Sequence, residues 1–256
     1  MRTYTVLACI AVSLVVAGLA SGCNNYRNLR RTSQGIVNIS HLPPQPAPSA
    51  ITPPPTAWTV DIHSARGAID IQVDPTIARP TIWVNVPELK DRTDPATWVA
   101  AEAIVDESSH VLQVSAAPPE TLGYSVYLTI TLPASDGVKI RSAGGAVDLR
   151  GVGGAIDIES GGGMGTGSPI TLKTKAVLTK GVRAITSAGD VRIYCGKGST
   201  GVLAVQGSTV SVTPAAGEVV HNAKQNGQAF AAKVGSGEAP FEVRSQQGSV
   251  DVRLNN

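Results

Sequence analysis

Three acidic side chains in the middle of the chain have the residue types and spacing for cutting polysaccharides. Asp148 and Asp157 hold equivalent positions in two copies of one short motif, and Glu159 follows two residues later. Two carboxyl groups about 5–10 Å apart can flank a glycosidic bond, one as the acid and the other as base or nucleophile. The spacing leaves open whether the three acids share a face. Outward Asp residues also keep strands soluble and protect their edges. We expect this structural role, and the alternative is a polysaccharide-active β-helix enzyme that uses these surface carboxylates.

Two glycine-rich motifs match ligand-binding loops but lack the required context. Gly196–Gly201 (GKGSTG) fits the dinucleotide fingerprint, yet the alternating residues VLAVQ that follow predict a strand where a helix is required. Gly pairs at 144, 153 and 162 recur every nine residues, as in a calcium-binding β-roll. In that nonapeptide Asp stands at position six, whereas here it stands at position five and the third copy has none. We therefore expect no nucleotide, cofactor or metal site.

Residues 1–22 have the pattern of a bacterial lipoprotein signal peptide. Arg2 is followed by the apolar stretch Val6–Leu19, which is shorter than the roughly 20 residues of a transmembrane helix, and then by small residues and Cys23. In a lipoprotein this cysteine receives a diacylglyceryl group and becomes the first residue of the mature chain. We predict lipidation of Cys23, which would anchor the protein to a membrane of the bacterial cell envelope. Asn24 stands where Asp would favour the inner membrane, so the outer membrane is favoured.

Residues 23–56 are predicted to form a tether between this anchor and a folded domain. The stretch Pro43–Thr56 (PPQPAPSAITPPPT) is rich in proline and favours an extended chain of about 3.1 Å per residue. The remaining residues, 57–256, are numerous enough to bury a core and are assigned to one domain.

The other cysteines and the histidines give no catalytic or ligand pattern. Cys9 leaves with the leader and Cys23 carries the lipid, so no internal disulfide is expected. Cys195 follows Val191 and Ile193 at alternate positions, which predicts a buried, unreactive thiol. The four histidines lack metal-ligand spacing, and the common serine-hydrolase and zinc-protease motifs are missing. We therefore expect a protein that is not an enzyme.

A short unit recurs along the chain: Gly, any residue, Ile or Val, a polar residue, then Ile, Val or Leu. Its six copies begin at Gly35, Gly67, Gly145, Gly154, Gly189 and Gly248. The period of two predicts a short strand with one apolar and one polar face. The glycine opens the strand from a turn that needs a positive φ or a close backbone approach. Each unit is too small to bury its own apolar face and must stack on its neighbours.

These units, with further alternating segments between residues 59 and 244, predict an all-β protein. Pro95–Asp106 fits either a helical turn or a strand. We expect a β-solenoid or β-helix-like stack of short strands punctuated by glycine. The last unit, GSVDVRL (248–254), is expected at one end of the stack, where it would need a cap or a charged edge. The role of the Gly-rich segment 161–167 is left open.

Two segments, YSVYLTITLP (124–133) and DGVKIRSAGGAVDLRGVGGAIDIESGGG (136–163), carry a family resemblance. They resemble the bacterial putative-adhesin family of β-strand-repeat proteins, which is known mainly as a domain of unknown function. The shared pattern is a strand that ends in Pro, followed by alternating strands with Gly turns. The likeness covers roughly residues 57–254 and is best over 124–160. It implies an exported, often membrane-attached solenoid-like domain, and it supplies no catalytic residues.

The composition narrows the range of functions. Only 4% of the 256 residues are aromatic, and 27 Gly and 17 Pro favour short Val and Ile strands joined by turns. The net charge is +2, or +1 without Arg2, so no concentrated basic surface for nucleic acid is expected. We expect a binding or scaffolding function, adhesion included, with an extended envelope polysaccharide or another envelope protein as the partner. A purely structural protein is the third alternative.

Overall fold

Alternating apolar and polar residues form strands throughout the described part of the chain. The computed structural model describes residues 24–30, 36–38, 56–86, 99–116, 125–161, 168–215, 217 and 220–255. The leader, Cys23, most of the Pro-rich segment and residues 162–167 lie outside these ranges. Within them every regular element is a β-strand, and no helix there is long and apolar enough to span a membrane.

The strands are short and follow one another closely. The first ten are β1 (Asn24–Arg30), β2 (Ile36–Asn38), β3 (Ala57–Ser64), β4 (Ile69–Val73), β5 (Thr81–Asn85), β6 (Val99–Asp106), β7 (Val111–Ala116), β8 (Tyr127–Leu132), β9 (Ala134–Ser142) and β10 (Val147–Arg150). The others are β11 (Ala155–Ser160), β12 (Ile170–Lys173), β13 (Val182–Thr186), β14 (Val191–Tyr194), β15 (Gly201–Gln206), β16 (Val210–Thr213), β17 (Val220–Gln225), β18 (Ala229–Val234), β19 (Pro240–Ser245) and β20 (Val250–Arg253).

These strands form two mixed sheets, one of eleven strands (sheet A) and one of nine (sheet B). In the described residues, a strand of sheet A is followed in sequence by a strand of sheet B eight times. Seven of these pairs, all except β1–β2, each make one layer of a parallel stack. The layers stack in the spatial order β7–β8, β3–β4, β9–β10, β11–β12, β13–β14, β19–β20 and β15–β16. Neighbouring layers pair in parallel in sheet A and in sheet B. The prediction of an all-β fold is confirmed for the described residues, whose strands form two mixed sheets.

The core lies between the two sheets and is built from columns of aligned apolar residues. One column in sheet A contains Val60, Val138, Ile156, Val182 and Phe241. Its counterpart in sheet B contains Ile71, Leu149, Leu172, Ile193 and Val252. All of these side chains are buried. Burial of each contributes about 1.5–3 kcal/mol, so the aligned columns hold the two sheets together.

The expected position of the last strand at one end of the stack is wrong. β20 lies between β14 and β16 and pairs in parallel with both, and β19 lies between β13 and β15. The layer β3–β4 likewise lies between two layers that follow it in sequence. An inner position gives β20 hydrogen-bonding neighbours on both sides, whereas an end position would leave an exposed strand edge.

Antiparallel strands cover the ends of the parallel stack. β6 and β1 extend sheet A beyond β7, and β5 and β2 extend sheet B beyond β8. At the opposite end, β18 and β17 extend sheet A beyond β15. β1 and β2 come from the segment that the sequence assigned to the tether. β17 was not predicted, because its sequence VHNAKQ does not alternate.

The glycine that opens a repeat is required by the adjacent layer. Gly145 has a φ of +107°, and a Cβ there would lie 2.2 Å from the carbonyl oxygen of Gly67. Gly154 has a φ of +81°, and a Cβ there would lie 1.7 Å from the carbonyl oxygen of Asp136. Both obstacles are backbone atoms, so no side-chain rotation can relieve them. These contacts confirm the predicted role of the repeat glycine at these two positions.

Candidate functional site

The outward side chains of sheet A form a row of alternating charge. Asp61, Lys139, Asp157, Arg183 and Glu242 stand in register on five neighbouring strands. Lys139 Nζ lies 3.0 Å from Asp61 Oδ2, and Arg183 lies 3.1 Å from Asp157 Oδ1 and 3.7 Å from Glu242 Oε2. Opposite charges on adjacent strands stabilise the pairing. The middle of this face therefore neutralises its charges internally.

The structure separates the three acids that the sequence singled out. Asp148 projects outward from sheet B, whereas Asp157 and Glu159 project outward from sheet A, because their strand neighbours face the core. Arg183 contacts both Asp157 and Glu159, and Arg141 also bonds Asp157. Partial burial raises the pKa of Asp157, but the hydrogen bonds from Arg141 and Arg183 outweigh it and hold that pKa below its ordinary value. Asp157 and Glu159 therefore share one face, and Asp148 lies on the other sheet.

The outer face of sheet B carries a different arrangement, which we call the B-face row: Trp83, Thr129, Asp70 and Asp148. These residues stand in register on β5, β8, β4 and β10. Strands lie about 4.8 Å apart, so the row spans about 14 Å. Trp83 is 44% exposed, and Tyr127, which projects from the same face of β8, is 41% exposed. Two exposed aromatic rings therefore flank one end of a row of polar side chains.

Two carboxylates meet at the other end of the B-face row. The same nitrogen of Arg150, Nη2, lies 3.4 Å from Asp70 Oδ2 and 3.1 Å from Asp148 Oδ2. The Oδ1 atoms of both acids are buried and have no hydrogen-bond partner among the described residues. Burial raises the pKa of Asp70 above its ordinary value, Arg150 opposes this rise and Asp148 adds to it. Asp148 therefore has a carboxylate neighbour, and that neighbour is Asp70.

Three basic side chains and one tyrosine continue along the same face, in what we call the basic column. Arg150, Lys173, Tyr194 and Arg253 stand in register on β10, β12, β14 and β20. The guanidinium of Arg253 lies 5.0 Å from the ring centre of Tyr194, and the Tyr194 hydroxyl donates to Asp251 Oδ2 at 2.9 Å. Burial, and then the hydrogen bond to Asp251, raises the pKa of Tyr194, so this residue stays a neutral donor.

Sequence reasoning missed most of this face. The motif GAIDI at Gly67 repeats GAVDL at Gly145, and this signal could have paired Asp70 with Asp148 had the layer order been known. The alternation in TIWVN and YLTITL marks Trp83 and Tyr127 as outward. The alternation within each strand shows which side chains point outward. It does not show that β5 pairs with β8 and β4 with β10, because these strands are distant in sequence.

The remaining sequence predictions concern positions away from this face. Cys195 is buried, forms no disulfide, and its thiol donates to the carbonyl of Arg253, as the alternation predicted. The motif Gly196–Gly201 leads into strand β15, as the alternating residues VLAVQ predicted. In the described ranges no three His, Cys, Asp or Glu side chains are grouped as metal ligands.

Fold and surface together define a class: an all-β protein of two mixed sheets with a polar, aromatic outer face. Two solved structures are similar to this chain. A "putative cell adhesion protein" from Clostridium sporogenes has 10% identity and a TM-score of 0.42, covering 90% of this chain and 98% of its own. A "putative adhesin" from Bacteroides fragilis has 10% identity and a TM-score of 0.38, covering 91% and 98%. No family model and no curated protein matches the sequence.

Proposed function

We propose that this protein is a lipid-anchored protein of the bacterial cell envelope whose β-solenoid-like domain binds an extended polysaccharide across the outer face of sheet B. The observation that carries the proposal is the B-face row with its two exposed aromatic rings. The leader and Cys23 support the anchor. Binding, adhesion to a surface polymer included, requires no catalytic step.

The residue types along the B face suit a sugar chain. Trp83 and Tyr127 offer apolar ring faces with polar tips, which pack against the C–H faces of sugar rings. Thr129 and the two carboxylates then offer hydrogen bonds to hydroxyl groups. Arg150 is paired with Asp70 and Asp148. Lys173 follows it at the strand spacing and favours a polymer that carries negative charge. A ligand lying across the strands would meet these groups in sequence, so an extended polymer fits better than a compact one.

The test mixes the purified protein with anionic and neutral envelope polysaccharides and follows both by size-exclusion chromatography. We expect co-elution with an anionic polysaccharide at unchanged chain length. Trp83→Ala with Tyr127→Ala should weaken binding at least tenfold, the usual cost of losing aromatic anchors. Val177→Ala is the matched control, because Val177 is a 51% exposed apolar side chain away from the row. Binding that is as tight in the aromatic double variant as in the unmodified protein would refute the proposed site.

A second candidate function is cleavage of the polysaccharide, and one observation favours it. Asp70 and Asp148 are adjacent carboxylates, and the pKa of Asp70 is raised, as a proton donor requires. If the protein were an enzyme, the polymer in the same experiment would shorten with time. Shortening would be lost in Asp148→Asn and kept in Asp157→Asn, because Asp157 lies on the other sheet. If the polymer binds and its length does not change, the result supports binding and contradicts cleavage.

A further inference from the structure

We infer a second ligand site on the outer face of sheet A, a groove of about 330 Å³ at the end of the sheet that β17 and β18 extend. We call it the A-face groove, and it would bind a carboxylated sugar unit of the hexuronate type. It lies on the opposite sheet from the B-face row and is independent of the function proposed above.

Small side chains between large ones create the groove. Ala204 on β15 stands in register with Ala231 on β18, and one strand further Lys224 on β17 faces Ala231. On the other side β19 carries Arg244 in register with Gln206 and Glu242 in register with Ala204. The methyl floor is therefore about two strands wide, roughly 10 Å, and is bounded by long polar side chains. A pyranose ring that presents C–H groups on one face fits such a floor.

The polar lining of the A-face groove consists of cations and amides, with no carboxylate among its residues. Arg244 Nε lies 3.0 Å from Glu242 Oε1, a contact that orients the guanidinium and leaves its terminal nitrogens to donate elsewhere. Asn226 accepts the backbone N–H groups of Gln228 and Ala229 through Oδ1. Asn226 lines the groove, and its Nδ2 is a donor.

The cations stand on opposite walls of the groove. The pairing of β17 with β18 shifts register between His221 and Lys224, and such a bulge redirects the side chains beside it. Among the described residues Lys224 has no carboxylate within ion-pair distance. Lys224 on one wall, the remaining guanidinium donors of Arg244 on the other, donor amides and an apolar floor match an anionic ring with hydroxyl groups, since charge-assisted hydrogen bonds are the strongest available here.

The experiment measures binding of glucuronic acid to the purified protein by isothermal titration calorimetry, with glucose as the neutral probe. We expect glucuronic acid to bind at least tenfold more tightly than glucose. Lys224→Gln and Arg244→Gln should each weaken glucuronic acid binding about tenfold or more. Ala231→Leu, which fills the floor without removing a charge, should abolish it. Lys180→Gln, a cation of the same sheet's periphery that pairs with Asp136, should leave binding unchanged.

Each other outcome overturns the inference. Equal affinities for glucose and glucuronic acid would show that the carboxylate of the sugar is not recognised. Binding that persists in Ala231→Leu, with folding confirmed by circular dichroism, would place the ligand elsewhere. Failure of glucuronic acid to bind the unmodified protein would refute the A-face site. The B-face proposal is tested separately, by the substitutions of Trp83 and Tyr127.

Discussion

Substitution of Leu254 by alanine should destabilise the protein as strongly as a change at the centre of the core. Leu254 is fully buried, and its N–H donates to the carbonyl of Thr213 on β16 at 2.9 Å. It directly follows β20, which lies between β14 and β16. A cavity at this position would therefore be enclosed by layers on both sides.

The expected loss follows from the size of the deleted group. Truncation of a buried Leu to Ala costs about 2–5 kcal/mol. For a chain of this size each kcal/mol lowers Tm by roughly 2–4 °C, so Tm should fall by about 4–20 °C. The assay is urea unfolding followed by far-ultraviolet circular dichroism, in which the midpoint should fall and the slope should stay unchanged.

Val202→Ala is the matched control, because Val202 is an aliphatic residue of β15 that is 41% exposed. That substitution should change the free energy of unfolding by no more than about 0.5 kcal/mol. If Leu254→Ala is as mild as Val202→Ala, the last layer does not lie inside the stack, and the derived layer order is wrong.

Three further predictions test other parts of the account. Gly145→Ala should cost at least about 2 kcal/mol in urea unfolding, because its φ is positive and a Cβ meets backbone, whereas Gly153→Ala, with no atom closer than 3.5 Å, should be nearly neutral. Asp70→Asn should stabilise the protein slightly at pH 7, since the fold raises the pKa of this carboxyl and so disfavours its charged form. That gain should vanish as the pH falls below the ordinary Asp value and the wild-type carboxyl is also neutral. A gain that persists at pH 3 would contradict this explanation. Cys23→Ser should abolish incorporation of labelled fatty acid and release the protein from membranes. A Cys23→Ser protein that still incorporates the labelled fatty acid would refute lipidation at Cys23.

Local sequence patterns predicted most of the strands, because the face to which each side chain points depends on only a few neighbouring residues. Alternation within five or six residues decides which side chains face the core, and the repeat glycines carry their own requirement for close approach. The same patterns made the outward position of Asp70, Asp148 and Asp157 predictable. Strands such as β17, which lack alternation, left no such signal.

The layer order and the site could not be predicted in this way. Arg150 and Asp70 are 80 residues apart in sequence, yet they are in contact because β4 lies beside β10. All the repeat units present similar apolar columns, so any two of them could stack, and the sequence of each unit does not specify its neighbour. The association of Asp148 with Asp157 was the natural choice from sequence proximity, and it fails because β10 and β11 belong to opposite sheets.

The measurement that tests the central claim most directly is hydroxyl-radical footprinting of the purified protein with and without an anionic envelope polysaccharide. Oxidation would be quantified by mass spectrometry at Trp83 and Tyr127 on sheet B and at His63, an exposed side chain on sheet A. Binding across sheet B predicts that the polysaccharide protects Trp83 and Tyr127 and leaves His63 unchanged. Unchanged oxidation of both aromatic residues, or protection of His63 alone, would contradict the account.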